Sequence, residues 1–218
     1  MITIKERYDK KEINNLPRVR FEGRVFTVLT VQEADKAVDY LMRQPLLGFD
    51  TETRPTFRRG QVHLVALLQV STPDTAFLFR LNRIGLPPSV IRLLEDNSIT
   101  KVGLSLHDDF LMLRKRQNFT PGTFVELQHE AKDLGIVDMS LQKLYANLYG
   151  EKISKSQQLS NWEADVLSEA QKSYAATDAW ACVKIYEKIC ELKHNGGFTL
   201  EKSPLESPEE SSHNALPD

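Results

Sequence analysis

Two acidic residues close the apolar run Leu46-Leu47-Gly48-Phe49-Asp50-Thr51-Glu52. In a strand, residues two apart project to one face, so Asp50 and Glu52 point together while Thr51 points away. Carboxylates about 7 Å apart on one face repel each other unless a positive charge lies between them. A divalent cation with oxygen ligands meets that need. Charges that merely enter a solvated loop at a strand end would look the same, so this pair gains weight only from company.

Two further groups could supply that company. In Lys101-Val102-Gly103-Leu104-Ser105-Leu106-His107-Asp108-Asp109-Phe110 an apolar strand runs into a helix. Its first turn holds Asp108 and Asp109, each favoured there by the positive end of the helix dipole. Either can be a plain helix-start residue, and His107 reads as a surface or capping group. In Tyr174-Ala175-Ala176-Thr177-Asp178 the phenol and the carboxylate are four residues apart and share one helix face. Ala175, Ala176 and Ala179 leave that face uncrowded, which suits close approach of a strand or a substrate.

These groups need elements to hold them. Phe26–Leu29 reads as a short strand, with Thr30 as N-cap of the helix that follows. Val62–Val70 and Thr75–Phe79 flank Pro73-Asp74 as two antiparallel strands joined by a turn. Pro88–Leu94 reads as a helix, Lys101–Leu104 as a buried strand, Asp108–Arg116 as a helix and Phe124–Leu127 as a last short strand. Beyond it the pattern is helical: Ser140–Leu148, closed by Gly150, and Ser168–Lys193, closed by Asn195-Gly196-Gly197. Paired strands, then strands alternating with helices, then helices alone predict an α/β domain whose mixed sheet is covered on its faces.

The chain has 218 residues, 28 basic and 30 acidic, for a formal net charge of -2. That balance excludes charge-driven coating of a nucleic acid by the whole surface but leaves room for a local basic track. Residues 1–20 are polar and basic and read as a tail. Residues 199–218, rich in Ser, Pro and Glu, read as a disordered tail, so 21–198 is the expected domain. Cys182 and Cys190 lie on one helix about 12 Å apart and cannot bridge each other. No run of about 18 apolar residues exists, and Met1-Ile2-Thr3-Ile4-Lys5-Glu6-Arg7 lacks a signal-peptide core, so a cytoplasmic protein with no membrane association is expected. No obligate protein partner is evident.

Taken together, Phe49-Asp50-Thr51-Glu52, Lys101-Val102-Gly103 with its following acid, and Tyr174-x-x-x-Asp178 resemble the 3′–5′ exonucleases with four acids and a tyrosine. This is the DEDDy group of the ribonuclease H-like superfamily, and the resemblance runs from about Leu46 to Leu192. Leu159-Ser160-Asn161-Trp162, followed by Leu167-Ser168 and Gln171, resembles the Werner-type and ribonuclease D branches. The resemblance implies a ribonuclease H-like mixed β-sheet flanked by helices with a helical C-terminal part. It selects Asp109 over Asp108, and Ser173, where the sister group has histidine, favours the tyrosine version. The chain has no room for a helicase or extra helical domains, so a stand-alone nuclease module is expected.

What the resemblance implies for chemistry is two-metal phosphodiester hydrolysis that releases nucleoside 5′-monophosphates from a DNA or RNA 3′ end. Asp50, Glu52 and Asp178 would hold one Mg²⁺ or Mn²⁺, with Asp50 and Asp109 serving a second. Carboxylates suit these hard cations. Tyr174 would stay protonated and position the attacking water. Arg54, Arg58 and Arg59 follow the first block in a stretch with no acid through Pro73, and with Arg114, Lys115 and Arg116 they are candidate phosphate contacts. Thr51, Leu106 and Trp162 are candidate contacts for the terminal nucleotide. Two other functions share parts of this pattern: a weakly active or inactive nucleic-acid-binding module of the same fold, and a metal-dependent phosphatase acting on mononucleotides. Setting four acids aside for metal leaves 28 basic against 26 acidic residues, which fits an enzyme gripping a strand end.

Overall fold

Apolar strands that need two covered faces set the plan of the molecule. The computed structural model describes residues 1–58 and 60–203. In chain order the elements are β1 (Ile2–Lys5), α1 (Lys10–Ile13), β2 (Arg24–Val28), α2 (Val31–Leu41), β3 (Leu46–Thr53), β4 (Val65–Ser71), β5 (Thr75–Phe79), α3 (Leu81–Ile84) and α4 (Pro88–Glu95). They continue with β6 (Thr100–Gly103), α5 (Leu106–Arg114), β7 (Phe124–Glu126), α6 (Leu127–Lys132), α7 (Leu141–Tyr149), α8 (Glu169–Asn195) and β8 (Phe198–Glu201).

Six strands form one mixed sheet in the order β2-β5-β4-β3-β6-β7. The β3–β4 and β4–β5 pairs are antiparallel, and β2–β5, β3–β6 and β6–β7 are parallel. Every residue of β4 is buried, as expected of a central strand covered on both sides. One face packs α2, α4 and α5 over Phe49, Leu68, Val70 and Phe79. The other takes α8, the longest helix, whose N-cap Ser168 and Gln171 form the reciprocal capping box. Gly196 ends it in the left-handed conformation, and Gly150 does the same for α7.

The expected strands and helices of the central region are all present, and so is the Thr30 cap, completed by Glu33. The ends of the chain differ from expectation. Ile2–Lys5 is a strand, paired in parallel with Phe198–Glu201, where a tail was expected on both sides. Burial drives this pairing: Ile4 is fully enclosed in a second core among α6, α7 and α8. Lys5 N–H and C=O are also bonded to the Asn147 side chain, at 2.8 and 2.7 Å. Of the expected C-terminal tail, residues 204–218 lie outside the described residues, as does Arg59. No helix among the described residues is long and apolar enough to cross a membrane.

Candidate active site

Close packing of α8 against β3 creates the site. Gly48 lies two residues before Asp50 on the same face, and a Cβ there would collide with the carbonyl of Ala179. Ala175, Ala176 and Ala179 are all fully enclosed. With no side chain on Gly48 and only a methyl group on Ala179 opposite, helix and strand backbones approach closely there, and Asp178 arrives beside Asp50. One carboxylate oxygen from each of Asp50, Glu52 and Asp178 lies within 4.8 Å of the other two. These residues line a cavity of about 320 Å³ with Thr51, Tyr174 and Lys155.

The electrostatics follow from burial and crowding. Burial, then the Asp50 and Asp178 charges, pushes the Glu52 carboxyl up to about 10. Asp178 is pushed up to about 7 by burial, with Tyr174 and Lys155 pulling the other way. Asp50 is raised as well, first by burial and then by Asp178. The Tyr174 phenol is driven upward by burial and by the same carboxylates, so it keeps its proton at neutral pH. Its ring rests against Trp162, with centroids 6.0 Å apart.

Asp109 comes from the other side of the sheet. Phe49 faces the α5 core, and Thr51, which alternates with the acids, donates its hydroxyl to Asp109 Oδ1. Asp109 therefore stands beside the three-acid cluster, within the field of Asp50, and is raised to about 8 chiefly by burial. Asp108 is exposed one residue earlier. The Glu126 carboxylate accepts from Ser105 N–H (3.1 Å) and Leu106 N–H (2.9 Å), which closes the start of α5 and sets the direction in which Asp109 emerges.

Not every residue singled out in the sequence reaches this pocket. Leu106 is 4% exposed and belongs to the main core, and Trp162 is completely enclosed. Neither offers a surface for a base, because the apolar side chains gain more by packing; Trp162 instead backs Tyr174. Arg54 donates to Glu163 Oε2 at 3.2 Å, and Arg58 lines a neighbouring groove with Phe57, Gln61 and His63. The Arg114–Arg116 cluster is structural in part: Arg114 donates to Phe119 O and Arg116 to Val65 O, at 3.2 and 2.7 Å. Lys155 was passed over in the sequence. Its only signal there was a place inside the stretch 154–168 that leads to the tyrosine helix.

Two loops, one of which lines the pocket with Lys155 and Gln158, are tied to each other. Glu163 accepts from Arg54 and lies 3.1 Å from His63 Nδ1, joining the loop after β3 to the loop before α8. The second loop is also held by Gln171, which donates to Ser160 Oγ and Asn161 O at 2.9 and 3.2 Å, and by Arg80, which donates to Ala164 O.

A mixed sheet with a long helix laid across it, and acids gathered at the seam, defines a ribonuclease H-like nuclease fold. The sequence matches the 3′–5′ exonuclease family over residues 25–192, and the chain belongs to that family. It is 31% identical over 210 residues to the mouse bifunctional 3′-5′ exonuclease/ATP-dependent helicase WRN, covering 91% of this chain and 15% of that protein. A 3′-5′ exonuclease of Arabidopsis thaliana is 29% identical, with 82% of this chain and 67% of that protein aligned. Among solved structures, the Aedes aegypti Nibbler EXO domain superposes with a TM-score of 0.73 at 25% identity, over 81% of this chain and 93% of that one.

Proposed function

We propose that this protein is a divalent-metal-dependent 3′–5′ exonuclease that releases nucleoside 5′-monophosphates from the 3′ end of a nucleic acid. The observation that carries this reading is the convergence of Asp50, Glu52 and Asp178 oxygens within 4.8 Å. Three carboxylates this close, all with raised pKa, repel one another unless protons or cations intervene. An all-oxygen donor set suits Mg²⁺ or Mn²⁺.

In this reading Asp50, Glu52 and Asp178 hold one cation, and Asp50 with Asp109 serves a second. Bound cations supply a lowered pKa for a coordinated water and positive charge for the phosphate oxygens. Tyr174, kept protonated by its surroundings, is a hydrogen-bond donor or acceptor for the water rather than a base that removes its proton. The water oxygen bonds to phosphorus as the bond to the 3′-oxygen of the preceding nucleotide breaks. That oxygen keeps the electron pair and takes a proton, and the product leaves with its 5′-phosphate. Arg54 and Arg58, which share a groove, would meet strand phosphates.

The test is digestion of matched 5′-labelled DNA and RNA oligonucleotides. A ladder shortening from the 3′ end with Mg²⁺ or Mn²⁺, and none with EDTA, is expected. Asp50→Ala should lose at least about 10³-fold in rate. Equal digestion by wild type and Asp50→Ala would refute the proposal, and tight binding of the oligonucleotide without turnover under either metal would identify a non-catalytic module. Release of inorganic phosphate from mononucleotides would point to a phosphatase.

A further inference from the structure

Lys155 is a cation on the wall of an acidic pocket, sharing its cavity with Asp50, Glu52, Tyr174 and Asp178. It is exposed, and its side chain makes no ion pair or hydrogen bond among the described residues. That sets it apart from the other lysines between Lys143 and Lys193. Lys143, Lys172, Lys184, Lys188 and Lys193 each pair with a carboxylate, and Lys152 donates to Asn14 O. The backbone under Lys155 is nonetheless pinned on both sides. Gln142 Nε2 donates to Ile153 O at 2.8 Å, Ile153 is 4% exposed, and Gln171 holds Ser160 and Asn161. A long side chain is thus launched from a fixed point toward the acids and reaches none of them closely enough to pair.

The charge arithmetic of the pocket gives this a purpose. Lys155 is the one cation among the residues that line it, and it opposes the burial that raises Asp178. Once divalent cations neutralise the carboxylates, the ammonium has no anionic partner in the protein. The anion that then enters is a phosphate diester. A positive group aimed at oxygens where negative charge builds up is the arrangement that accelerates phosphoryl transfer.

We infer that Lys155 is a further catalytic residue, whose ammonium contacts a non-bridging oxygen of the scissile phosphate on the Asp178 side of the pocket. This rests on the exonuclease reading above. Lys155 transfers no proton; it stabilises the charge that builds on the phosphate oxygens as the water bonds and the 3′-oxygen leaves.

Lys155→Ala and Lys155→Arg test this on the full chain. Lys155→Ala should lower kcat about 10²-fold, with an unchanged melting temperature in saturating Mg²⁺ and a Mn²⁺ affinity by calorimetry no weaker than wild type. Lys155→Arg, which keeps the charge, should recover at least about tenfold of that loss. Binding gives a readout that needs no turnover: with Mg²⁺ present, thymidine 5′-monophosphate should bind Lys155→Ala at least tenfold more weakly than wild type, while thymidine binding stays the same. Equal nucleotide binding and equal kcat in Lys155→Ala would overturn the inference. So would a kcat loss that Lys155→Arg does not relieve, or one that comes with a lowered melting temperature. If wild type does not digest nucleic acid, the exonuclease reading fails on its own, and the nucleotide-binding comparison still decides whether Lys155 is a phosphate contact.

Discussion

The α8–β3 seam and the two loops that follow β3 and precede α8 are built in opposite ways. The seam relies on small residues where it is tightest: Gly48 lies against the Ala179 backbone, while Ala175 and Ala176 bring α8 close to β4 and β5. The loops rely on long polar side chains, with Glu163 bridging to Arg54 and His63 and Gln171 reaching Ser160 and Asn161. Close-packed backbones hold a position against carboxylate repulsion because any shift loses packing along the whole contact. Solvated polar ties are individually weak and leave a surface free to adapt to a strand. The acids are therefore on the stiff part and the candidate strand contacts on the adjustable one.

The largest effect is expected at Gly48. Gly48→Val should force α8 off β3, lowering stability by about 3 kcal/mol and abolishing digestion, as read by thermal melting and a 3′-end ladder. Full activity in that variant would mean that the seam does not set the acid spacing. Next comes Tyr174→Phe, which removes a hydroxyl and leaves the ring against Trp162. A rate loss of about 10²-fold with unchanged Mn²⁺ affinity is expected, and an unchanged rate would take Tyr174 out of the mechanism.

Crowding at the seam has a cost that pH reveals. Asp178 and Asp109 titrate near 7 and 8 in the folded chain, against ordinary carboxylate values near 4. Between those limits the folded state holds protons that the unfolded state has released, so without metal the protein loses stability as pH rises from 5 to 8. The loss should be roughly 2 kcal/mol, about 4–8 °C in Tm, and Asp178→Asn should reduce it. A melting temperature in EDTA that is flat or rises over this range would contradict the charge crowding. The smallest effect is expected in the loops. Glu163→Gln should cost less than about 1 kcal/mol in stability and raise KM for an oligonucleotide no more than a few-fold. A large loss of kcat there would place the loops among the rigid parts.

Much of the site was legible because it lies in local patterns. Strand alternation put Asp50 and Glu52 on one face, the helical repeat put Tyr174 and Asp178 on one face, and the run of alanines announced a close contact. What escaped were pairings across long stretches of chain. Strand β1 is four residues long and finds its partner, β8, at the far end of the described chain, so its short alternation of Ile2 and Ile4 looked like a polar tail. Trp162 and Leu106 looked available for stacking because a large apolar residue reads the same in sequence whether it ends up enclosed or at a pocket mouth. Arg114 and Arg116 looked like a basic track for a similar reason: the backbone carbonyls that take their guanidinium groups lie in a turn and in a different strand.

By itself, the sequence determined the α/β class, the order of the central elements and the residue types able to hold hard cations. All of these follow from periodicity and chemistry within a few residues. Only the tertiary structure decided that three acids meet within 4.8 Å while Asp109 stands aside on the Thr51 hydroxyl, and that Lys155 is left without a partner on the same cavity wall. Such distances depend on how closely α8 lies on β3, and that is fixed by the space beside Gly48.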